Sequence, residues 1–172
     1  MEKEPPAGLN AALHAYILAL QADPAFQEAR QQYMPFWLTP VPARPAGAEE
    51  TSRRVALTPD HALEHYHALV LLGEAGAGKS CLLRRLALEQ AEALLGQGER
   101  GPPAGRVAGA EAPSSLPFYV DLSTYRGGPI PGLLVEILRR HGLPQADLPT
   151  LEAISRGHAL LLLFDGNDPM EP

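Results

Sequence analysis

The chain is predicted to adopt an α/β fold with a mainly parallel sheet, preceded by a small helical segment. Three observations carry that expectation. Short continuous apolar runs recur at residues 68–72, 117–122 and 159–164, as strands covered on both faces would. Segments of helical period separate them, and strands alternating with helices imply parallel pairing. A glycine-rich turn, residues 73–80, joins the first apolar run to the longest helical segment.

The elements follow in chain order. Asn10 is placed to cap a helix to about Ala22, with Leu13, Tyr16, Ile17 and Leu20 on one face. Asp23 before Pro24 reads as a cap followed by a first-turn proline, starting a second helix to about Tyr33. Residues 35–45 carry four prolines and the only tryptophan, Trp37, and are expected to run extended, pinned by their aromatics. A polar linker covers 46–54. Thr58, Pro59 and Asp60 repeat the cap, proline and acid pattern and open a short helix to about His65.

The first strand is expected at 68–72. Residues 79–95 contain no Pro or Gly, and Leu83, Leu86, Ala87 and Leu94 recur at helical spacing. Residues 96–115, rich in Gly, Pro and Ala, read as a mobile loop. A second strand is expected at 117–122. A helix at 129–140 follows, with Leu133, Leu134, Ile137 and Leu138 as its apolar face and His141 and Gly142 as its stop. A short helix at 150–156 then leads into the third strand. Domain boundaries are drawn at 1–57 for the helical lead-in and proline-rich linker, and 58–172 for the α/β part.

Residues 73–80 read Gly73, Glu74, Ala75, Gly76, Ala77, Gly78, Lys79 and Ser80, which fits the phosphate-binding Walker A pattern. Each part has a physical task. The glycines let backbone N–H groups close around phosphates. Lys79 would reach the β- and γ-phosphates, Ser80 would ligate Mg²⁺, and the following helix would point its positive end at the anion. Cys81 falls in the first turn of that helix. The third apolar run closes on Asp165 and Gly166, the Walker B pattern, which puts an acid at the sheet edge within reach of the same Mg²⁺.

Bulk properties bound the rest. The length of 172 residues suits one domain with a small appendage. A net charge of −6 with no basic run argues against a nucleic-acid partner. A single cysteine excludes an intrachain disulfide and suits a reducing compartment. No signal peptide or bilayer-length apolar run is present, so no membrane partner and a cytoplasmic location are expected.

Taken in order, several segments resemble a NACHT-type NTPase of the STAND class. They are residues 33–36, 69–87, 116–127 with its Y-V-D-L-S-x-Y-R strand, and 160–170. The resemblance implies an incomplete P-loop NTPase three-layer sandwich that binds ATP or ADP with Mg²⁺. It also implies a nucleotide-dependent switch, and self-association through the NTPase domain in an intact homologue. Residues 73–81 would hold the nucleotide; Ser80, Asp165 and Asp168 would serve the metal. Two departures bear on activity. Pro169 stands where the family has a water-activating Glu, so at most slow hydrolysis is expected. The chain also stops at Pro172, before the strand that the family places between its two Walker strands. That leaves backbone groups poorly paired and implies marginal stability.

Other readings stay open. His61 and His65, in an H-x-x-E-H pattern, could share a helix face and bind Zn²⁺. A GTPase would need an N-K-x-D motif, which is absent, and a small-molecule kinase would need a basic lid, which does not stand out. A non-enzymatic fragment or interaction module without effective nucleotide binding is the alternative of a different class.

Overall fold

A parallel strand pair cannot be closed by a hairpin; it needs a crossover long enough to hold a helix. The computed structural model, which describes residues 9–35, 37–39, 56–99 and 115–166, contains one such pair. Strand β1 (Leu116–Asp121) runs parallel to β2 (Leu160–Asp165), in the register Leu116 to Leu160 through Asp121 to Asp165. The crossover holds two helices, α5 (Ile130–Arg140) and α6 (Leu148–Gly157), after a single 3₁₀ turn at Leu122–Thr124. The chain is therefore mixed helix and strand with a small parallel sheet.

The chain divides into two compact units. One comprises Met1–Tyr33 with Glu74–Pro172, the other Met34–Gly73. This division runs at 33/34 and 73/74, away from the boundary expected at 57/58.

In the larger unit, α1 (Leu9–Ala22) and α2 (Pro24–Gln32) precede α4 (Lys79–Glu99). Asp23 caps α2 as expected, accepting from the Ala25 N–H at 2.9 Å. Asn10 lies inside α1, not at its cap. The expected apolar face of α1 is buried in full: Leu13, Tyr16, Ile17 and Leu20. Helix α4 packs on both strands and on α1 and α2. It extends past Gly96 to Glu99, into the stretch expected to be loop, and residues 100–114 lie outside the described residues. Its buried side chains are Leu82, Leu86, Ala87, Leu88 and Ala91, while Leu83 and Leu94 are half-buried. The expected stripe is thus rotated, because α4 meets helices and strands together and buries more than one face.

Strand β1 shows why proline is tolerated here. The Leu116 N–H donates to the Ala159 carbonyl at 2.7 Å. Ladder bonds alternate along a parallel strand, so Pro117 turns its missing donor away from β2. Its outward carbonyl accepts from the Tyr16 hydroxyl at 2.8 Å, a buried contact spanning 101 residues. Tyr16 and Phe118, both fully buried, pack with ring centroids 5.7 Å apart. Helix α5 buries Leu134, Val135, Ile137 and Leu138, with Leu133 only half-buried. Gly142 follows at φ +98°, a left-handed stop that also lies close to the Ala15 carbonyl. Helix α6 starts two residues before the expected Thr150, because Asp147 caps it by accepting from the Thr150 N–H at 2.8 Å.

The smaller unit contains α3 (Pro59–His65), capped by Thr58 as expected, with Pro59 and Ala62 buried. Leu38 and Leu57 form an isolated antiparallel bridge through hydrogen bonds of 2.7 and 2.8 Å. Trp37 is 68% exposed, so this bridge, not the tryptophan, fixes the described part of the proline-rich segment. The linker at 46–54 lies outside the described residues.

One expected strand is corrected. Residues 68–72 are irregular, with Val70 84% and Leu72 75% exposed. A strand satisfies its N–H and C=O groups only through neighbours. Among the described residues the only ladder is that of β1 with β2, so the apolar run has no strand beside it.

Candidate functional site

A cleft of about 480 Å³ opens in the larger unit, between α2 and the turn that starts α4. Residues 75–81 form one wall, with Arg84 from α4 and Gly166 from the end of β2. Ala25, Glu28, Ala29 and Gln32 of α2 form the other.

The turn owes its shape to two glycines. Gly76 has φ +79° and Gly78 φ +84°, left-handed values that cost other residues about 1–2 kcal/mol. A Cβ at either position would meet nothing within 4 Å, so the requirement is conformational, not steric. The turn is closed by Ala77 N–H donating to Glu74 C=O at 3.2 Å, and α4 begins with Leu82 N–H donating to Gly78 C=O at 2.9 Å. The Lys79 ammonium folds back and donates to the Glu74 carbonyl at 2.9 Å. Glu74 thus contributes its backbone here, and Gly73 closes the other unit.

Ser80 and Asp165 lie 85 residues apart in the chain and meet: the Ser80 hydroxyl donates to Asp165 Oδ1 at 2.9 Å. The first turn of α4 and the C-terminal end of β2 are therefore adjacent. The second Asp165 oxygen accepts from the Tyr119 hydroxyl. Burial foremost, and then the hydrogen bond to Asp165, push the Tyr119 phenol well above its usual range, so it remains a donor. Its ring packs edge-on against Phe26 (5.4 Å, 76°), and the Arg84 guanidinium lies 5.3 Å from its centroid. Cys81 ties the two walls together, its thiol donating to the Ala29 carbonyl at 3.0 Å. On the outer side, Arg30 of α2 pairs with Glu92 of α4 at 2.5 Å.

The donor set suits a hard divalent cation beside an anion. A serine hydroxyl has one proton and two lone pairs. With the proton given to Asp165, the lone pairs of Ser80 remain for a metal, and the carboxylate adds the charge that Mg²⁺ prefers in oxygen ligands. Helix α4 starts at Lys79, so its positive end faces the same cleft.

The structure thus brings Ala75, Gly76, Ala77, Gly78, Lys79, Ser80 and Cys81 together along one wall, with Asp165 bonded to Ser80. Asp168 and Pro169 lie outside the described residues. His65 Nδ1 lies 2.8 Å from the His61 carbonyl of its own helix. Among the described residues no three His, Cys, Asp or Glu side chains gather as a metal site.

Sequence reasoning missed Tyr119, Arg84, Glu28 and Gln32. Arg84 was within reach, since Ser80 and Arg84 stand four apart on one helix face. The α2 residues carry no motif, and the Tyr119 contact depends on strand register. No described helix is long and apolar enough to cross a membrane. No family model, curated protein or solved structure matches the chain.

Proposed function

We propose that the cleft binds a nucleoside triphosphate with Mg²⁺, in the manner of a P-loop NTPase of NACHT type, as a nucleotide-dependent switch. The observation that carries this reading is the 2.9 Å bond between Ser80 and Asp165 at the mouth of a glycine turn. Two motifs read separately in the chain become one oxygen-rich corner beside Lys79. Gly76 and Gly78 would present backbone N–H groups to the phosphates, and Lys79 would leave the Glu74 carbonyl for the β- and γ-phosphates. Ser80 and Asp165 would hold Mg²⁺, which when bound neutralises phosphate charge. Asp168 is a further metal candidate by resemblance. Either ATP or ADP fits this arrangement, with ATP the primary ligand.

Hydrolysis is expected to be slow or absent, because Pro169 offers no carboxylate to orient water. Calorimetric titration of Mg-ATP into the wild-type chain and Lys79→Ala tests the proposal. Binding that Lys79→Ala abolishes is the expected result; equal heats, or none from either protein, would sink it.

A second reading, a non-enzymatic interaction module without effective nucleotide binding, draws on residues 68–72, which are irregular and, apart from half-buried Leu71, exposed. The strand expected to anchor the turn is not formed there. The same titration separates the two readings.

A further inference from the structure

We infer that Tyr119 is a positioning residue for the cation corner, holding one oxygen of Asp165 so that the other stays aligned with Ser80. The inference rests on the nucleotide-binding reading above. It starts from register. Tyr119 lies directly opposite Leu163, so Asp165, two residues further along β2, is its diagonal neighbour on the same sheet face. With strands about 4.8 Å apart and a rise of about 3.3 Å per residue, these neighbours lie about 8 Å apart at the backbone, a span that a tyrosine can bridge and a shorter side chain cannot. The residue directly opposite Asp165 is Asp121, a like charge whose Oδ1 already accepts from the Ser123 N–H at 2.9 Å. Asp121 can repel the Asp165 carboxylate but cannot hold it; Tyr119 can.

The consequence is geometric. The terminal torsion of an aspartate is broad and nearly two-fold, so one hydrogen bond leaves the carboxylate free to turn. Here each oxygen has its own hydroxyl donor, Ser80 on Oδ1 and Tyr119 on Oδ2, and the carboxylate plane is fixed. The two donors differ in kind. Ser80 sits on the turn of α4, which would carry the ligand. Tyr119 sits on a sheet strand, with its ring held by Phe26 and Arg84. Tyr119 therefore supplies the rigid reference, and it transmits the placement of α2 and α4 to Asp165 through those two ring contacts. Groups that orient metal ligands in this way typically change metal affinity about 10–100-fold when removed.

The test measures ATP binding by calorimetry over a series of Mg²⁺ concentrations, and again in excess EDTA. The proteins are wild type, Tyr119→Phe, Asp165→Asn and the double variant. Tyr119→Phe keeps the ring packing and removes only the hydroxyl; circular-dichroism melts check that its fold matches wild type. The Mg²⁺ concentration for half-maximal binding should rise about tenfold in Tyr119→Phe, while binding in EDTA stays as in wild type. In the Asp165→Asn background the same change should add nothing. A merely structural role would weaken binding equally with and without Mg²⁺, or add its effect to that of Asp165→Asn. Either result, or an unchanged Mg²⁺ requirement, overturns the inference while leaving nucleotide binding intact. No ATP binding by wild type at any Mg²⁺ concentration overturns the underlying reading, and this inference with it.

Discussion

At the residue scale, single polar groups decide how closely the helices and the sheet can approach. Tyr16 is fully buried, and burial pushes its phenol above the normal range, so it stays a neutral donor to the Pro117 carbonyl. Tyr16→Phe leaves that outward carbonyl without its partner in a dry place. The expected loss is about 1–3 kcal/mol of unfolding free energy, read from urea midpoints. His141 gives a pH signature. Burial lowers its pKa, Asp23 acts in the opposite sense and Arg140 adds to the lowering, while its ring meets Tyr16 edge-on at 6.0 Å. The folded chain therefore holds this proton less tightly than the unfolded chain. This contribution is fully present above the ordinary histidine value of about 6.5 and is lost as pH falls below it. The melting temperature of wild type should rise as pH is raised toward the ordinary histidine value of about 6.5, and His141→Gln should flatten that part of the rise; identical profiles would contradict the assignment.

At the element scale, starts were more legible than partners. Asp23 before Pro24 and Thr58 before Pro59 set α2 and α3 through hydrogen bonds spanning two or three residues, which depend on nothing distant. Asp23→Ala should cost about 1 kcal/mol in a thermal or urea unfolding series. Because α2 forms one wall of the cleft, the same variant should also weaken Mg-ATP binding if the proposed function holds. The stripes on α4 and α5 were less legible. Leu83 and Leu133 have helical spacing but are only half-buried, whereas Leu88 and Val135 are buried. Periodicity shows that a helix has an apolar face; the neighbours fix its centre and width. Residues 68–72 are the extreme case. Composition marks them as strand, but a strand exists only beside another strand, and none lies beside them among the described residues.

For the larger unit as a whole, the N-terminal helices belong to the core. Tyr16 packs on Phe118, Phe26 packs on Tyr119, and Leu20 is buried with them. Two strands alone present too little apolar face to fold unaided. A chain beginning at Met34 should therefore lose cooperative thermal unfolding of the larger unit, as followed by circular dichroism; an unchanged melt would show that α1 and α2 are dispensable. Helix α2 also supplies one wall of the cleft, so this truncation and Lys79→Ala probe the proposed binding from opposite walls.

Local order in the chain was enough to mark the glycine turn, the caps of α2 and α3, the apolar runs of β1 and β2, and both Ser80 and Asp165 as phosphate and metal candidates. Each depends on side chains within a few residues, or on backbone freedom that glycine alone supplies at φ +79° and +84°. Tertiary structure decided which apolar runs pair and where α4 turns its face. It also decided that α2 walls the cleft and that Tyr119 reaches Asp165. Those outcomes depend on register and packing between segments as far apart as Tyr16 and Pro117, and periods of 3.6 or 2 residues carry no information about which distant segment will be the neighbour.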